Sequence, residues 1–254
     1  MTIEISRRRL VGSLGAATGG LLLSGCDKIV ASSKSQDFLD VGEQVTFAVQ
    51  RAVVGRSAMA PEFTAAEMSP VFRTNGNSNP NTPEYAAHAA TSFADWRFVV
   101  DGLVAKPLRL SLDQIRKGPR RTQITRHDCV EGWSAIGQWT GIPLAALLAH
   151  AGLNSRARYV VFHCADRIGG APYYESIDLL DAFHPQTILA WGMNGQPLAI
   201  GHGAPLRLRV ERQLGYKQAK YVMRVQAVET LAGLYGGKGG YWEDAIGYQW
   251  YAGI

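Results

Sequence analysis

The chain has 254 residues, and its 26 Lys and Arg against 21 Asp and Glu give a formal net charge of +5 at pH 7. Hydrophobic residues make up 46% and charged residues 19%, a balance typical of a globular domain with a proper core. The mild basicity comes without a nucleic-acid-binding motif, so it excludes nucleic acid as the expected partner and is compatible with anionic ligands.

The N-terminus predicts an export signal. Arg7-Arg8-Arg9 precede an uncharged stretch, residues 10–23, that is rich in Leu, Ala and Gly. The stretch is shorter than the ~20 residues that a membrane-spanning helix needs. Paired arginines directly before it are typical of twin-arginine export, and a generic secretory signal is the alternative. Because the twin-arginine route carries folded proteins, it favours a cofactor that is inserted before export.

Leu23-Ser24-Gly25-Cys26 follows the apolar stretch and resembles the bacterial lipobox. The resemblance implies that Cys26 carries a lipid that attaches the protein to a membrane surface. An ordinary cleavage site with a chance cysteine is the alternative. We therefore expect a signal peptide over residues 1–25, a tether and irregular segment over residues 26–60, and a folded domain over residues 61–254.

The sequence of the folded domain predicts short strands that alternate with short helices. Residues 74–83 contain no apolar side chain and predict a long loop, and residues 127–134 predict a shorter one. Helices are expected at residues 111–115 and 143–151, the second ending at Gly152. Strands are expected at residues 96–102, 122–126, 158–164, 188–193, 205–210 and 221–231. This order indicates an α+β domain rather than a regular parallel βαβ sheet.

Common enzyme signatures are missing from the sequence. A Gly-x-Gly-x-x-Gly turn, a Gly-x-Ser-x-Gly elbow and a His-Glu-x-x-His helix do not occur in it. Cys129 and Cys164 could form a disulfide in an oxidising compartment. With His127 and His163 they could also suggest zinc, although His-x-Cys with His-Cys is not a usual zinc spacing.

Residues 126–134 read Arg-His-Asp-Cys-Val-Glu-Gly-Trp-Ser. This segment resembles the active-site loop of the sulfite-oxidase superfamily, especially the periplasmic protein-methionine-sulfoxide reductases. Further blocks agree in the same order, at residues 99–110, 139–144, 202–208, 215–220 and 247–253. The resemblance covers the chain from about Phe72 to the C-terminus. It implies an α+β fold with a mixed-sheet, sulfite-oxidase-type molybdopterin-binding catalytic domain.

The resemblance also implies the cofactor, Mo-molybdopterin, and the residues that serve it. Cys129 is the implied metal ligand, and Glu131 and Tyr248 are the implied catalytic residues. The implied cofactor-binding residues are Arg73, Thr74, Cys164, His202, Arg207, Gln218, Ala219 and Lys220. Taken singly, Glu131, Tyr248 and Arg207 could equally be solvated surface side chains.

The chemistry of the residues agrees with that cofactor. Molybdenum in a pterin dithiolene is bound by soft sulfur donors, to which a cysteine thiolate adds one. A thiolate is favoured by nearby positive charge, for which Arg126 is the candidate. The phosphate of the pterin calls for cations, and Arg207, Lys217 and Lys220 are the candidates.

The sequence departs from the reductase pattern at three positions. Val71 and His202 each stand where that branch has an asparagine, and Cys164 stands where it has a threonine. The change at Val71 bears on the substrate, whereas the other two positions are still expected to contact the cofactor.

The sequence therefore predicts a monomeric oxidoreductase of the periplasm that transfers an oxygen atom, with two electrons, on a small or protein-bound sulfur compound such as a sulfoxide. The absence of Cys-x-x-Cys-His predicts a separate haem-containing electron-transfer partner. One alternative is a sulfite-oxidase-like dehydrogenase that passes electrons to cytochrome c. Another, from a different class, is a non-catalytic periplasmic binding lipoprotein with the same fold.

Overall fold

The structure, a computed structural model, describes residues 33–55 and 57–254. Residues 1–32, with the predicted export signal and Cys26, lie outside the described residues. The chain divides into two compact units, with the division after Gly55.

The first unit contains the helix α1, Ser33–Val54. The sequence predicted an irregular tether over residues 26–60, and the difference has a physical reason. Residues 33–54 contain no proline and a single glycine, Gly42, and their valines recur every four residues from Val41 to Val53. Among the described residues, no helix is both long and apolar enough to cross a membrane.

The second unit mixes strands with short helices. Its helices are α2 (Pro83–Ala90), α3 (Leu112–Lys117), α4 (Leu144–Ala151), α5 (Leu179–Ala182) and α6 (Tyr241–Ile246). Its strands are β1 (Phe98–Gly102), β2 (Leu108–Leu110), β3 (Arg121–Cys129), β4 (Trp133–Pro143), β5 (Tyr159–Ile168), β6 (Ala171–Asp178), β7 (Ile188–Met193), β8 (Gln196–Pro197), β9 (Arg207–Arg209) and β10 (Val222–Val228). Short 3-10 helices lie at Ala65–Glu67, Ile200–His202 and Gly215–Lys217.

The strands form two sheets. One has the order β2-β1-β10-β5-β6, and the other has the order β3-β4-β7-β8 with β9 paired to β7. β1 and β10 are parallel, whereas the other neighbouring pairs are antiparallel. The α+β class with a mixed sheet is therefore confirmed.

Local sequence signals set several element ends. Ser111 caps α3 by accepting a hydrogen bond from the backbone N–H of Gln114 at 3.2 Å. Gly152 ends α4 in the left-handed region, with φ 69°. Asn194 and Gly195, with φ 49° and 76°, make the two-residue turn between β7 and β8. The predicted end of the second helix at Gly152 is confirmed.

Two sequence predictions about the site elements need correction. The strand predicted at residues 122–126 runs on to Cys129 because its partner β4 continues the ladder to Trp133, so Cys129 ends a strand instead of lying within a loop. The strand predicted at residues 205–210 alternates apolar and charged residues, a pattern typical of a half-buried strand, yet Arg207, Leu208 and Arg209 are all buried. Arg207 and Arg209 both have an exposed fraction of 0%. The alternating pattern of charged and apolar residues in the sequence could not predict that the charged positions are buried.

A buried ion triad ties the helix α6 to the sheet. Lys217 Nζ lies 2.6 Å from Glu175 Oε2 on β6 and 2.5 Å from Glu243 Oε1 on α6. Burial raises the pKa of Glu175 well above its usual range; Lys217 opposes this rise and Glu243 adds to it. Burial lowers the pKa of Lys217, but the two carboxylates outweigh burial and raise it. The triad thus holds α6, and the residues that follow it, against β6.

Lys217→Met tests this anchor. The substitution leaves two buried carboxyl groups facing each other without a cation, so we expect the free energy of unfolding to fall by about 3–5 kcal/mol. Denaturant unfolding of the cofactor-free chain measures it. Lys238→Met, at an exposed lysine, is the matched control and should change stability by about 0.5 kcal/mol or less. Equal stability of the two variants would contradict a structural role for the triad.

Candidate active site

One cavity of about 150 Å³ collects several of the residues predicted for the site. Its lining comes from the β3–β4 hairpin, the loop before α2, the β5–β6 hairpin, the segment around Gly215 and the segment around α6. The lining residues are Asn75, Gly76, Asn77, Cys129, Val130, Glu131, Asp166, Ile168, Tyr173, Gly215, Tyr216, Gln218, Lys220, Trp242 and Tyr248. Cys129, Glu131, Gln218, Lys220 and Tyr248 are thereby brought together.

Cys129 is held at the end of β3 by a tight hairpin. It pairs with Trp133 across the ladder, and the N–H of Gly132 donates to the Cys129 carbonyl at 3.0 Å. Gly132 has φ 85°, a conformation that favours glycine, so the turn places the thiol reproducibly. Cys129 is 8% exposed and is a free thiol, as is Cys164. The two cysteines therefore do not form the disulfide that was the structural alternative.

The cation that acts on Cys129 differs from the one that the sequence suggested. Arg126 is 57% exposed at its side chain and pairs with Asp128 at 2.9 Å. Burial raises the pKa of the Cys129 thiol, and the Glu131 side chain adds to the rise. The backbone of Glu131 and the positive charge of Arg207 oppose it. A bound metal would complete the deprotonation. Arg207 lies on β9, far from Cys129 in the sequence, so its action on Cys129 could not be predicted from the sequence.

Arg209 and Arg207 are buried side by side, but only Arg209 has an acidic partner. Arg209 donates from Nε and Nη2 to Glu211, at 2.9 and 2.5 Å. It also donates from Nη1 to Nδ1 of the buried His127, at 3.0 Å. The guanidinium of Arg209 lies 4.3 Å from the centre of the Trp139 ring. Its charge is therefore balanced within the protein.

Arg207 lacks such a balance. It donates from Nη1 to the carbonyl of His202 at 3.3 Å, while Nε and Nη2 are buried without a hydrogen-bond partner in the described residues. Burial lowers the pKa of Arg207 to about 9, and the neighbouring Arg209 adds to this shift. An unpaired buried guanidinium with free donors is a site for an anion.

Lys220 is a second buried cation whose contacts are neutral. Its ammonium group donates to the carbonyls of Asn75 (2.6 Å), Asn77 and Gly201 (3.1 Å). Burial lowers the pKa of Lys220 to about 7, and Arg207 contributes to the same shift. These contacts hold the polar loop at residues 74–82 against the site.

The donor set fits the phosphate-bearing cofactor that the sequence implied. Arg207 and Lys220 supply positive charge, and the unpartnered Nε and Nη2 of Arg207 supply directed donors. His202 borders them, with its Nδ1 buried and unpartnered among the described residues. A phosphate group provides the several acceptor oxygens that such donors need. The protein alone leaves this charge uncompensated, whereas the anionic cofactor would compensate it.

The remaining residues that the sequence predicted for the site do not line this cavity. Ala219 is buried, and its carbonyl accepts from the N–H of Leu208 at 2.8 Å. Arg73 and Thr74 are exposed and do not line the cavity, although Thr74 lies against Gly201. Cys164 lines a separate outer cleft. Lys217 belongs to the ion triad with Glu175 and Glu243, so it is not available to a phosphate as the sequence suggested.

Several lining residues were missed by sequence reasoning. Asn77, Asp166, Tyr216 and Trp242 line the cavity, but no motif singled them out. The available signal was weak: Asp166 is a lone carboxylate two residues beyond a Val- and Phe-rich strand core. In the part of the chain that the structure describes, no three His, Cys, Asp or Glu side chains converge as a metal site, so zinc gains no support.

Paired substitutions at Arg207 and Arg209 separate an anion site from a structural ion pair. Arg207→Met removes an uncompensated buried charge, so the cofactor-free chain should become more stable by about 1 kcal/mol or more while bound molybdenum falls sharply. Arg209→Met leaves the buried carboxylate of Glu211 without a cation and should destabilise the chain by about 3–5 kcal/mol. Thermal unfolding and elemental analysis measure both effects. Destabilisation by Arg207→Met with normal metal content would contradict the assignment.

Comparison with known proteins identifies the family. The family described as oxidoreductase molybdopterin binding domain matches residues 85–233. The chain is 36% identical over 252 residues to the putative protein-methionine-sulfoxide reductase subunit YedZ1 of Azospira oryzae, with 99% of this chain and 89% of that protein covered.

Two further relatives are catalytic subunits named MsrP. The protein-methionine-sulfoxide reductase catalytic subunit MsrP of Xanthomonas campestris pv. campestris is 40% identical over 147 residues, 54% of this chain and 46% of that protein. The MsrP of Gluconobacter oxydans is 35% identical over 167 residues, 61% of this chain and 52% of that protein. The match thus spans about half the length of these two relatives.

Among solved structures, the sulfane dehydrogenase SoxCD of Paracoccus pantotrophus matches with a TM-score of 0.49 and 25% identity, over 54% of this chain and 39% of that chain. The family match covers more than half of this chain, and the match to the Azospira protein covers nearly all of it. The chain belongs to the molybdopterin-binding oxidoreductases and is an enzyme that uses the molybdopterin cofactor.

Proposed function

We propose that this oxidoreductase reduces sulfoxides to sulfides. The observation that carries the proposal is the meeting of Cys129, Glu131 and Tyr248 in one cavity whose lining also includes the buried cation Lys220. The reaction consumes two protons and two electrons for each sulfoxide and releases a sulfide and water. The relatives named as protein-methionine-sulfoxide reductases support the substrate class.

Molybdopterin, when bound, supplies a metal centre that exchanges two electrons and an oxygen atom with the substrate. In this proposal the Cys129 thiolate is the protein ligand to that metal. Arg207, Lys220 and Gln218 hold the pterin and its phosphate, with His202 beside them. Their role is to bind and orient the cofactor, because the buried cations gain most from an anion that stays in place.

Glu131 and Tyr248 act on the substrate side of the cavity. Glu131 Oε2 accepts a hydrogen bond from Trp133 Nε1 at 3.0 Å, which fixes the carboxylate beside Cys129. The Tyr248 ring packs edge-on against Tyr216, with 4.9 Å between ring centres. Fixed side chains of this kind can bind the sulfoxide oxygen and supply a proton as it leaves as water.

The aromatic wall agrees with a sulfur-containing substrate. Tyr216, Trp242 and Tyr248 line the cavity together, and sulfur makes favourable contacts with aromatic rings. Val71, which replaces the asparagine of the reductase pattern, is 71% exposed and is not part of the lining. The proposal therefore covers both a free sulfoxide and a sulfoxide on a protein surface.

The proposal also covers the electron donor of the enzyme and its place in the cell. We infer that a separate haem-containing partner reduces the cofactor and that the enzyme acts as a monomer in the periplasm. Arg7-Arg8-Arg9 and the lipobox at Cys26 support twin-arginine export and attachment to a membrane by a lipid. These residues lie outside the described part of the chain, so the support is that of the sequence.

Steady-state assays of molybdenum-loaded enzyme test the substrate class. With a reduced viologen as electron donor, we expect turnover of methionine sulfoxide and no oxidation of sulfite with ferricyanide as acceptor. Tyr248→Phe should lower kcat by about 100-fold at unchanged metal content, because it removes a proton donor to the departing oxygen.

Tyr159→Phe, at a tyrosine outside the cavity lining, is the control and should keep wild-type kcat. Sulfite oxidation without sulfoxide reduction would refute the proposal and favour the dehydrogenase alternative, with electrons passing to cytochrome c.

A further inference from the structure

A second, larger cavity lies beside the candidate active site. This outer cleft has a volume of about 620 Å³, and its lining includes Thr82, His88, Asp95, Arg97 and Arg224. Asp95 and Arg97 are exposed, so the cleft opens to solvent. The cleft carries both acidic and basic side chains and is accessible to water and buffer.

Asp166 separates the two cavities. It is the one residue that the described linings of the outer cleft and the active-site cavity have in common. Its side chain is buried, with an exposed fraction of 4% for the residue. The β5–β6 ladder is irregular between His163 and Arg167, and such an irregularity turns a side chain out of the regular alternation. The backbone thus places a carboxyl group between solvent and substrate.

The hydrogen bonds of Asp166 leave one oxygen free. Oδ2 accepts from Asn77 Nδ2 at 3.1 Å, whereas Oδ1 is buried without a partner among the described residues. A buried carboxyl with a free oxygen is costly as an anion, and protonation removes that cost. The free oxygen is available to take a proton on one side and to give it up on the other.

The surroundings of Asp166 favour a proton on it. Burial raises the pKa of Asp166, and the hydrogen bond from Asn77 and the charge of Lys220 oppose the rise. The nearest basic neighbour in sequence, Arg167, is turned away and donates to the carbonyl of Gly170. The other titratable groups that interact with Asp166 are Tyr85, Cys164, Tyr173 and Tyr221. They are neutral acids in this setting, since each has a raised pKa.

We propose that Asp166 carries protons from the outer cleft into the active-site cavity during turnover. The inference rests on the proposed sulfoxide reduction, in which two protons enter for every water released. The two electrons come from an external one-electron donor through the cofactor, so Asp166 itself is neither oxidised nor reduced. For each proton, the O–H bond of Asp166 breaks as the proton passes into the active-site cavity, where it replaces a proton given to the departing oxygen, and a new O–H bond forms with a proton from water in the cleft.

The sign of the pH dependence follows from the direction of transfer. Asp166 gives a proton only when it is protonated, so kcat for reduction should fall as pH rises through its pKa. Asn cannot carry a proton, so Asp166→Asn should remove that pH dependence and lower kcat by about 10–100-fold. Asp166→Glu, which keeps a carboxyl group, should restore part of the rate.

The experiment measures kcat per bound molybdenum for methionine sulfoxide with a reduced viologen as donor. The variants are Asp166→Asn, Asp166→Glu and Asp166→Ala, with Asp95→Asn as the matched control on the exposed rim of the cleft. We expect Asp95→Asn to behave as wild type. Formate added to Asp166→Ala should restore rate in a saturable way, because a small acid can occupy the vacated space and carry the proton.

A readout without turnover accompanies the kinetics. Infrared difference spectra of the wild-type chain between low and high pH should show the carbonyl stretch of a protonated carboxylic acid that is missing from Asp166→Asn. Wild-type kcat, an unchanged pH profile and no formate rescue would overturn the proposal, as would the absence of that infrared band.

Failure of the proposed function gives a different result. In that case the wild-type enzyme oxidises sulfite and must release two protons for each sulfite, and the same variants then test Asp166 as a proton acceptor. The expected pH dependence is reversed, with the rate rising through the pKa of Asp166. Insensitivity to Asp166→Asn in that direction would equally overturn the proposal.

Discussion

The burial of positive charge without matching negative charge is the constraint on which the site depends. Arg209 and Lys217 are buried with carboxylates at 2.5–2.6 Å, so the fold balances them itself. The hydrogen bonds of Arg207 and Lys220 go to carbonyl groups, and neither side chain forms an ion pair with a carboxylate among the described residues. An unpaired buried cation costs free energy, and a bound anion recovers it. Burial of these two cations therefore lowers the stability of the cofactor-free chain, and the phosphate of molybdopterin is suited to offset that loss.

The same arrangement connects the two ends of the second unit to the site. Lys220 holds the loop at residues 74–82 through the carbonyls of Asn75 and Asn77, and Asn77 in turn holds Asp166. On the other side, the Lys217 triad holds the helix α6, near which Trp242 and Tyr248 line the cavity. The proposed cofactor, substrate and proton sites thus share a few buried polar contacts.

The sequence predicted much of this because its signals are local. Ser111, Gly152 and the Asn194-Gly195 turn set element ends by their own backbone chemistry, and the segment around Cys129 carried a family motif. The partners of the buried cations were not predictable. Whether Lys217 meets Glu175 and Glu243, or Arg209 meets Glu211, depends on strand pairing across long separations in sequence. Asp166 was missed for the same reason: its place between two cavities comes from an irregular ladder.

Ligation of molybdenum by Cys129 beside this buried positive charge is what we propose. Its most direct test is elemental analysis with molybdenum X-ray absorption on chain matured in a molybdenum-replete host, comparing wild type with Cys129→Ala and Cys164→Ala. We expect about one metal per wild-type and Cys164→Ala chain. For Cys129→Ala we expect a sharp fall in metal, with one sulfur ligand lost from any metal that remains. Full metal content with an unchanged sulfur shell in Cys129→Ala would contradict it.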